Sequence, residues 1–219
     1  SHRLPDYNLL NPLSVLEKYA DTDMPVVVTN LDRMTLTFDR LTAKGSETSL
    51  RHELTMPKIK DLGVKIQMQV RKMLGGQSGV VQGTVSTTPF FSKNFYETKF
   101  YAQVTPFQVH LKVGHFNSMA WVTDLQTGEP VEGAKVKIYR HDNKGLIRDP
   151  EILTEGITDP EGIARLAGTE KIDPSLAYAY VYDRYEQMLF ARVEKNDDMA
   201  LLPLDNDFRV DTYQASQYS

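Results

Sequence analysis

A period-two rhythm of apolar and polar residues constrains this chain more than any other feature. Met34, Leu36 and Phe38 alternate with Thr35, Thr37 and Asp39, and Val64, Ile66, Met68 and Val70 with Lys65, Gln67, Gln69 and Arg71. Phe107, Val109, Leu111 and Val113 alternate with Gln108, His110 and Lys112, and Ala134, Val136 and Ile138 with Lys135, Lys137 and Tyr139. Successive side chains of a strand point to opposite faces, so each run sends one face into a core and the other into water. Antiparallel sheets stacked as sandwiches satisfy that demand. Each fully buried large apolar side chain contributes about 1.5–3 kcal/mol, so a few such strands suffice for each sandwich. Helical spacing is scarce. Only Pro12–Tyr19, with Leu13, Leu16 and Glu17 at turn spacing and Asn11 placed to cap, predicts a short helix.

Turn chemistry separates the runs. Gly75-Gly76-Gln77-Ser78-Gly79 predicts a hairpin between a strand ending near Met73 and Val80–Ser86. Asp124–Gly128 predicts a turn after Met119–Thr123. Thr158-Asp159-Pro160-Glu161-Gly162 places Pro where a type I turn fixes φ and Gly where the chain needs positive φ. Ser175–Tyr182 and Gln187–Val193, flanking 183–186, predict a second hairpin. Lys99–Val104 closes one series of strands and Phe107 opens another, which sets a domain boundary near Val104-Thr105-Pro106.

The remaining totals narrow the function. The 219 residues allow one to two domains. Lys and Arg number 25 against 29 Asp and Glu, so the net charge of −4 leaves no basic footprint for nucleic acid. With no cysteine, disulfides, thiolate metal sites and a cysteine nucleophile are all excluded. No stretch reaches the roughly 18 apolar residues of a spanning helix. The opening Ser1-His2-Arg3 and the polar run from Tyr213 to Ser219 predict a piece cut from a larger secreted or periplasmic protein.

No catalytic, cofactor-binding or metal-binding residue emerges. Of the histidines, His2 reads as a tag remnant and His52 and His141 as surface side chains. His110 and His115, five apart on a strand pattern, face opposite ways and share no metal. The acidic groups Asp21/Asp23, Glu194/Asp197/Asp198 and Asp205/Asp207 lack the spacing of a calcium loop and read as charged turns. There is no Gly-x-Ser-x-Gly elbow, and the glycine-rich segment at 75–79 lacks the lysine of a phosphate loop. Tyr178, Tyr180 and Tyr182, beside Tyr185, lie in one phase of a strand; they read as a face packed on a neighbour ahead of a carbohydrate or peptide platform.

The second half carries a resemblance. Thr105–Val113, then Ala120-Trp-Val-Thr-Asp-Leu-Gln-Thr-Gly-Glu-Pro-Val-Glu-Gly-Ala-Lys-Val-Lys-Ile138, then Gly156-Ile-Thr-Asp-Pro-Glu-Gly-Ile-Ala-Arg-Leu166 occur in that order. The run resembles the macroglobulin domains of bacterial alpha-2-macroglobulins, and Met199–Phe208 looks like the exit from such a domain. Met24–Leu36 is similar to the opening strands of a preceding macroglobulin domain. The resemblance implies an all-β chain of two tandem immunoglobulin-like, macroglobulin-type antiparallel sandwiches, at 3–104 and 105–205, with a linker tail at 206–219.

It also implies a non-enzymatic structural segment of a large periplasmic, lipid-anchored protein that traps proteases. Its partners would be the neighbouring macroglobulin domains, with proteases as targets of the whole protein. A membrane would be reached only through an anchor outside this chain. The reactive thioester of many members needs a Cys-x-x-Gln motif, which a chain without cysteine cannot supply. The alternative expectation is a tandem immunoglobulin-like binding module of an adhesin or cell-envelope protein, which would use exposed strand edges.

Overall fold

Strands dominate the computed structural model, which describes residues 2–90, 98–141, 146, 150–178 and 188–204. The segment 145–148 aside, the chain divides between Pro106 and Phe107 into two compact units.

The first unit holds β1 (Asp6–Leu9), β2 (Leu13–Glu17), β3 (Pro25–Thr29), β4 (Arg33–Thr42), β5 (Gly45–Leu54), β6 (Val64–Gln67), the one-turn helix α1 (Val70–Met73), β7 (Gly79–Thr88) and β8 (Thr98–Thr105). A five-stranded sheet of order β2-β8-β7-β4-β5 and a three-stranded sheet of order β1-β3-β6 contribute to one hydrophobic cluster. Val26 and Val28 of the small sheet join Met34, Leu36, Phe38, Val81, Phe100 and Ala102 of the large one there. The predicted alternation of β4 is realised: Met34, Leu36 and Phe38 are buried, while Thr35, Thr37 and Asp39 are half-buried.

Two local expectations are corrected. Pro12–Tyr19 is not a helix, for Leu13–Glu17 is strand β2 with Ser14 and Leu16 buried and Leu13 and Val15 exposed. Eight residues cannot sustain an isolated helix in water, whereas the edge of β8 offers a ready hydrogen-bonding ladder. That pairing, Leu13 to Tyr101 through Glu17 to Thr105, is parallel, unlike the other pairings among the described strands. The second correction concerns 64–79. The strand ends at Gln67, Gln69 takes a left-handed φ of 62°, and Val70–Met73 turns into α1. Gly75 and Gly76, with φ of 64° and 75°, therefore end a helical turn, the Gly76 amide donating to the Arg71 carbonyl at 2.9 Å. No hairpin forms there, because β7 pairs with β4 and β8.

The second unit holds β9 (Phe107–Val113), β10 (Asn117–Asp124), β11 (Lys135–His141), β12 (Ile152–Ile157), β13 (Ile163–Ala167), the short helix α2 (Thr169–Ile172), β14 (Met188–Lys195) and β15 (Asp198–Pro203). A sheet of order β13-β10-β9 and one of order β12-β11-β14-β15 share a core of Ala120, Val122, Val136, Ile138, Ala164, Leu189 and Ala191. In β11 the inward phase is as expected, but Tyr139 is also buried and stacks on Phe190 at 5.6 Å. Burial pushes the Tyr139 phenol well up from its usual range, against the pull of the Arg192 charge. Ser175–Tyr178, expected as strand, is a turn: the Asp173 carboxylate accepts the amides of Ala177 and Tyr178 at 3.0 and 2.9 Å. The rest of that expected hairpin, 179–187, lies outside the described residues, as does the tail from 205 onward.

Candidate functional site

Two of the motifs that carry the resemblance, Ala120–Ile138 and Gly156–Leu166, are bonded to one another through Ala134 and Thr158, 24 residues apart in sequence. Thr158, buried at the start of the second of these, donates its hydroxyl to the Val131 carbonyl at 2.6 Å and accepts the Ala134 amide at 2.8 Å. Its own amide and carbonyl bond Ala134 and Gly133 at 2.9 Å each. Asp159 opens the following turn. Its carbonyl accepts the Gly162 amide at 2.8 Å, and its carboxylate accepts the amides of Glu161 and Ile163 at 3.0 and 2.9 Å. This turn joins β12 to β13, which belong to different sheets, so it is an arch across the sandwich. Gly162 sits at φ 77°, and a Cβ there would stand 2.5 Å from the Val122 carbonyl oxygen. Asp124 caps the other turn in the same manner, its carboxylate accepting the amides of Gln126 and Thr127 at 2.9 Å each.

Beside the arch lies the outward face of the β9-β10-β13 sheet. Cross-strand register sets Trp121 between His110 and Ile163, and Met119 between Lys112 and Arg165. Trp121 remains 43% exposed and Met119 36%. The indole is held on two sides: its N–H donates to the Glu161 carbonyl at 3.2 Å, and His110 stacks on it with ring centroids 5.4 Å apart. Sequence reasoning passed over this face. The signal was there in the polar phase of β10, where Met119 and the sole tryptophan of the chain occur.

The candidates singled out from sequence are dispersed. His2 lies 3.2 Å from the Asp61 carboxylate, His52 bonds Gln69 at 2.9 Å, His115 contacts the Thr169 hydroxyl at 3.3 Å, and His141 packs edge-on to Phe190. Hydrogen bonds from Asn30, the Arg3 amide and His2 hold the half-buried Asp61 carboxyl below its usual range. Asp23 accepts the amides of Met24, Val70 and Arg71, so it braces the start of α1; Asp21 is exposed in the same connection. The Arg71 guanidinium in turn binds the carbonyls of Thr22, Lys18 and Glu17 at 3.0, 2.8 and 2.6 Å.

Glu194 is shared by Lys137, at 3.1 Å, and the buried Arg192. Burial alone would raise its carboxyl; the charges of Arg192 and Lys137 and their hydrogen bonds outweigh that and bring it below its usual value. Asp197 and Asp198 belong to the tight turn between β14 and β15, where Asn196 has φ 56°. Tyr178 packs against the second core beneath the Arg140 guanidinium, 4.6 Å from its ring, which leaves it no open platform. Tyr180, Tyr182, Tyr185, Asp205 and Asp207 lie outside the described residues. Among the described residues no three His, Asp or Glu side chains stand together as a metal ion requires.

Two β-sandwich units, with no metal-type cluster of side chains among the described residues, define the class of fold. A family model for the bacterial alpha-2-macroglobulin MG3 domain matches residues 104–216, just over half of the 219 residues. The chain belongs to the bacterial alpha-2-macroglobulin family.

Solved structures carry the same fold. Native alpha-2-macroglobulin from Escherichia coli spanning domains NIE-MG1 is 12% identical, with a TM-score of 0.60 over 91% of this chain and 97% of that one. The E. coli piece spanning MG0-NIE-MG1 is 13% identical, with a TM-score of 0.59 over 92% of this chain and 64% of that one. A mutant of Salmonella alpha-2-macroglobulin is 12% identical, with a TM-score of 0.55 over 93% of this chain but only 12% of that one. At such identities the likeness concerns the fold, so the differing domain labels, MG3 and NIE-MG1, do not compete. No curated protein matches the chain by sequence.

Proposed function

We propose that this chain is a scaffold segment within a longer alpha-2-macroglobulin whose assembled domains inhibit proteases by enclosing them. The match of residues 104–216 to a bacterial macroglobulin domain carries this reading. In the Salmonella protein the similar stretch is 12% of the chain, which is how a scaffold segment would sit in a large assembly. The physical support is the division of labour among the residues. Charged and hydrogen-bonding groups with resolved partners brace turns and strands, as Thr158, Asp159, Asp23 and Arg71 do. Such a module transmits position and presents surface without performing chemistry of its own. A periplasmic site, with an anchor elsewhere in the parent, completes the proposal.

The test uses the parent protein. Incubated with a broad-specificity protease, it should shift to a compact form on native gels. The enclosed protease should keep cleaving a small peptide substrate while losing activity on casein. A parent that neither binds the protease nor changes shape on cleavage overturns the inhibitor reading. Fractionation of cells into periplasm, membrane and cytoplasm tests the location separately.

A further inference from the structure

We propose that the outward face of the β9-β10-β13 sheet is a docking site for a short acidic protein segment that carries an apolar anchor. The centre of the face is apolar: Trp121, Met119 and Ile163 are adjacent in cross-strand register. The charged side chains at its strand positions have one sign, the exposed Glu161 lying in the turn at its edge. Lys112 and Arg165, both exposed, flank Met119 on either side, and His110 lies against Trp121. The remaining positions of the face, Gln108, Asn117, Thr123 and Ala167, are uncharged. A chain of net charge −4 thus presents a face with no carboxylate among its strand positions and two permanent cations. Complementarity selects an anionic partner, and paired cations beside a tryptophan select carboxylates next to an apolar side chain.

The indole is fixed before any partner arrives, by the Glu161 carbonyl and by the His110 ring. An aromatic anchor held in place in advance loses little freedom on binding, and anchors of this kind dominate interface energetics. Three strands about 4.8 Å apart, with face positions from Asn117 to Thr123 at about 3.4 Å per residue, give a face of roughly 10 by 20 Å. That is far below the roughly 800 Å² that each partner of a stable domain–domain interface contributes, so a short extended segment fits it better than a globular surface. The proposal concerns this chain alone and stands or falls independently of protease trapping by the parent.

Trp121 is the only tryptophan, so its emission reports on the face directly. The 219-residue chain is titrated with a hexapeptide of alternating aspartate and leucine, and separately with its lysine-for-aspartate counterpart. The acidic peptide should give a saturable blue shift whose midpoint weakens as salt rises from 20 to 300 mM. The lysine peptide should give none. The double variant Lys112→Glu with Arg165→Glu, checked for native circular dichroism, should bind the acidic peptide at least tenfold more weakly. If that variant unfolds, the salt series on the unchanged chain decides. The absence of a saturable shift at millimolar peptide, or an equal response to both peptides, overturns the proposal. So does a response to phosphatidylglycerol vesicles without one to the acidic peptide, which assigns the face to a membrane surface.

Discussion

The hydroxyl of Thr158 donates to the carbonyl of Val131 across 27 residues of sequence, at 2.6 Å and out of reach of solvent. With the Ala134 amide as its second partner, one side chain ties the entry to β11 to the end of β12. A buried polar group left without its partner costs about 1–3 kcal/mol, so this bond fixes the path of the chain more sharply than its net strength implies.

Thr158→Val keeps the shape of the side chain but leaves the Val131 carbonyl and the Ala134 amide unpaired. The expected loss is about 2–6 kcal/mol, from two groups at the cost given above. Thr158→Ser keeps the hydroxyl and should lose no more than about 1 kcal/mol, for one methyl group. Urea unfolding followed by circular dichroism checks both. Equal midpoints for Thr158→Val and the unchanged protein would remove the hydroxyl from the account.

Gly162→Ala meets two obstacles at once: a left-handed backbone at φ 77° and a Cβ position 2.5 Å from the Val122 carbonyl. A destabilisation of about 1–3 kcal/mol is expected. Gly128, also at positive φ with open space around its Cβ position, should lose less on the same change. Thermal unfolding of the two variants side by side reads the difference.

In the first unit, Arg71 binds three carbonyls, one at the end of β2 and two in the β2–β3 connection. Lysine has a single point charge where arginine has a planar fork, so Arg71→Lys should lose most of what Arg71→Ala loses, about 1–3 kcal/mol. Recovery of full stability by lysine would show that charge alone, without the fork, holds the connection.

The Glu194 carboxyl lies below its ordinary value of 4.5 in the folded chain, because the opposing charges outweigh its burial. The folded state therefore binds fewer protons there than the unfolded one. Its contribution is fully present above the unfolded pKa and is lost as pH falls through the lower, folded pKa. Stability measured from pH 7 down to 3 should decline, and Glu194→Gln should flatten the acid limb of that curve. An acid limb unchanged in the variant would exclude Glu194 as its source.

The strands were legible where one face alone is buried. Met34, Leu36 and Phe38, and the series Phe107 to Val113, announce themselves because period two is visible over several repeats. The turns at Asp124 and Asp159 were legible because short polar side chains bond their own backbone two to four residues on. Leu13–Glu17 and Met68–Met73 were not. Five or six residues satisfy strand and helix spacing alike, and the choice is made by distant partners: β8 for the first, and Asp23 with the Lys18 carbonyl for the second. For the candidate site, the sequence offered no site residue and was silent on Trp121, whose setting comes from strands β9 and β13.

Local patterning by itself determined that this is an all-β chain of turn-linked strands without thiol chemistry, and its motif order pointed to the macroglobulin family. Both are properties of neighbouring residues, where alternation and turn propensity act over a few bonds. Tertiary structure alone decided that the turn at Asp159 bridges two sheets, that β2 runs parallel to β8, and that Trp121 stands between His110 and Ile163. Those facts depend on which strands become neighbours, and that choice rests on burying apolar faces drawn from far apart in the chain.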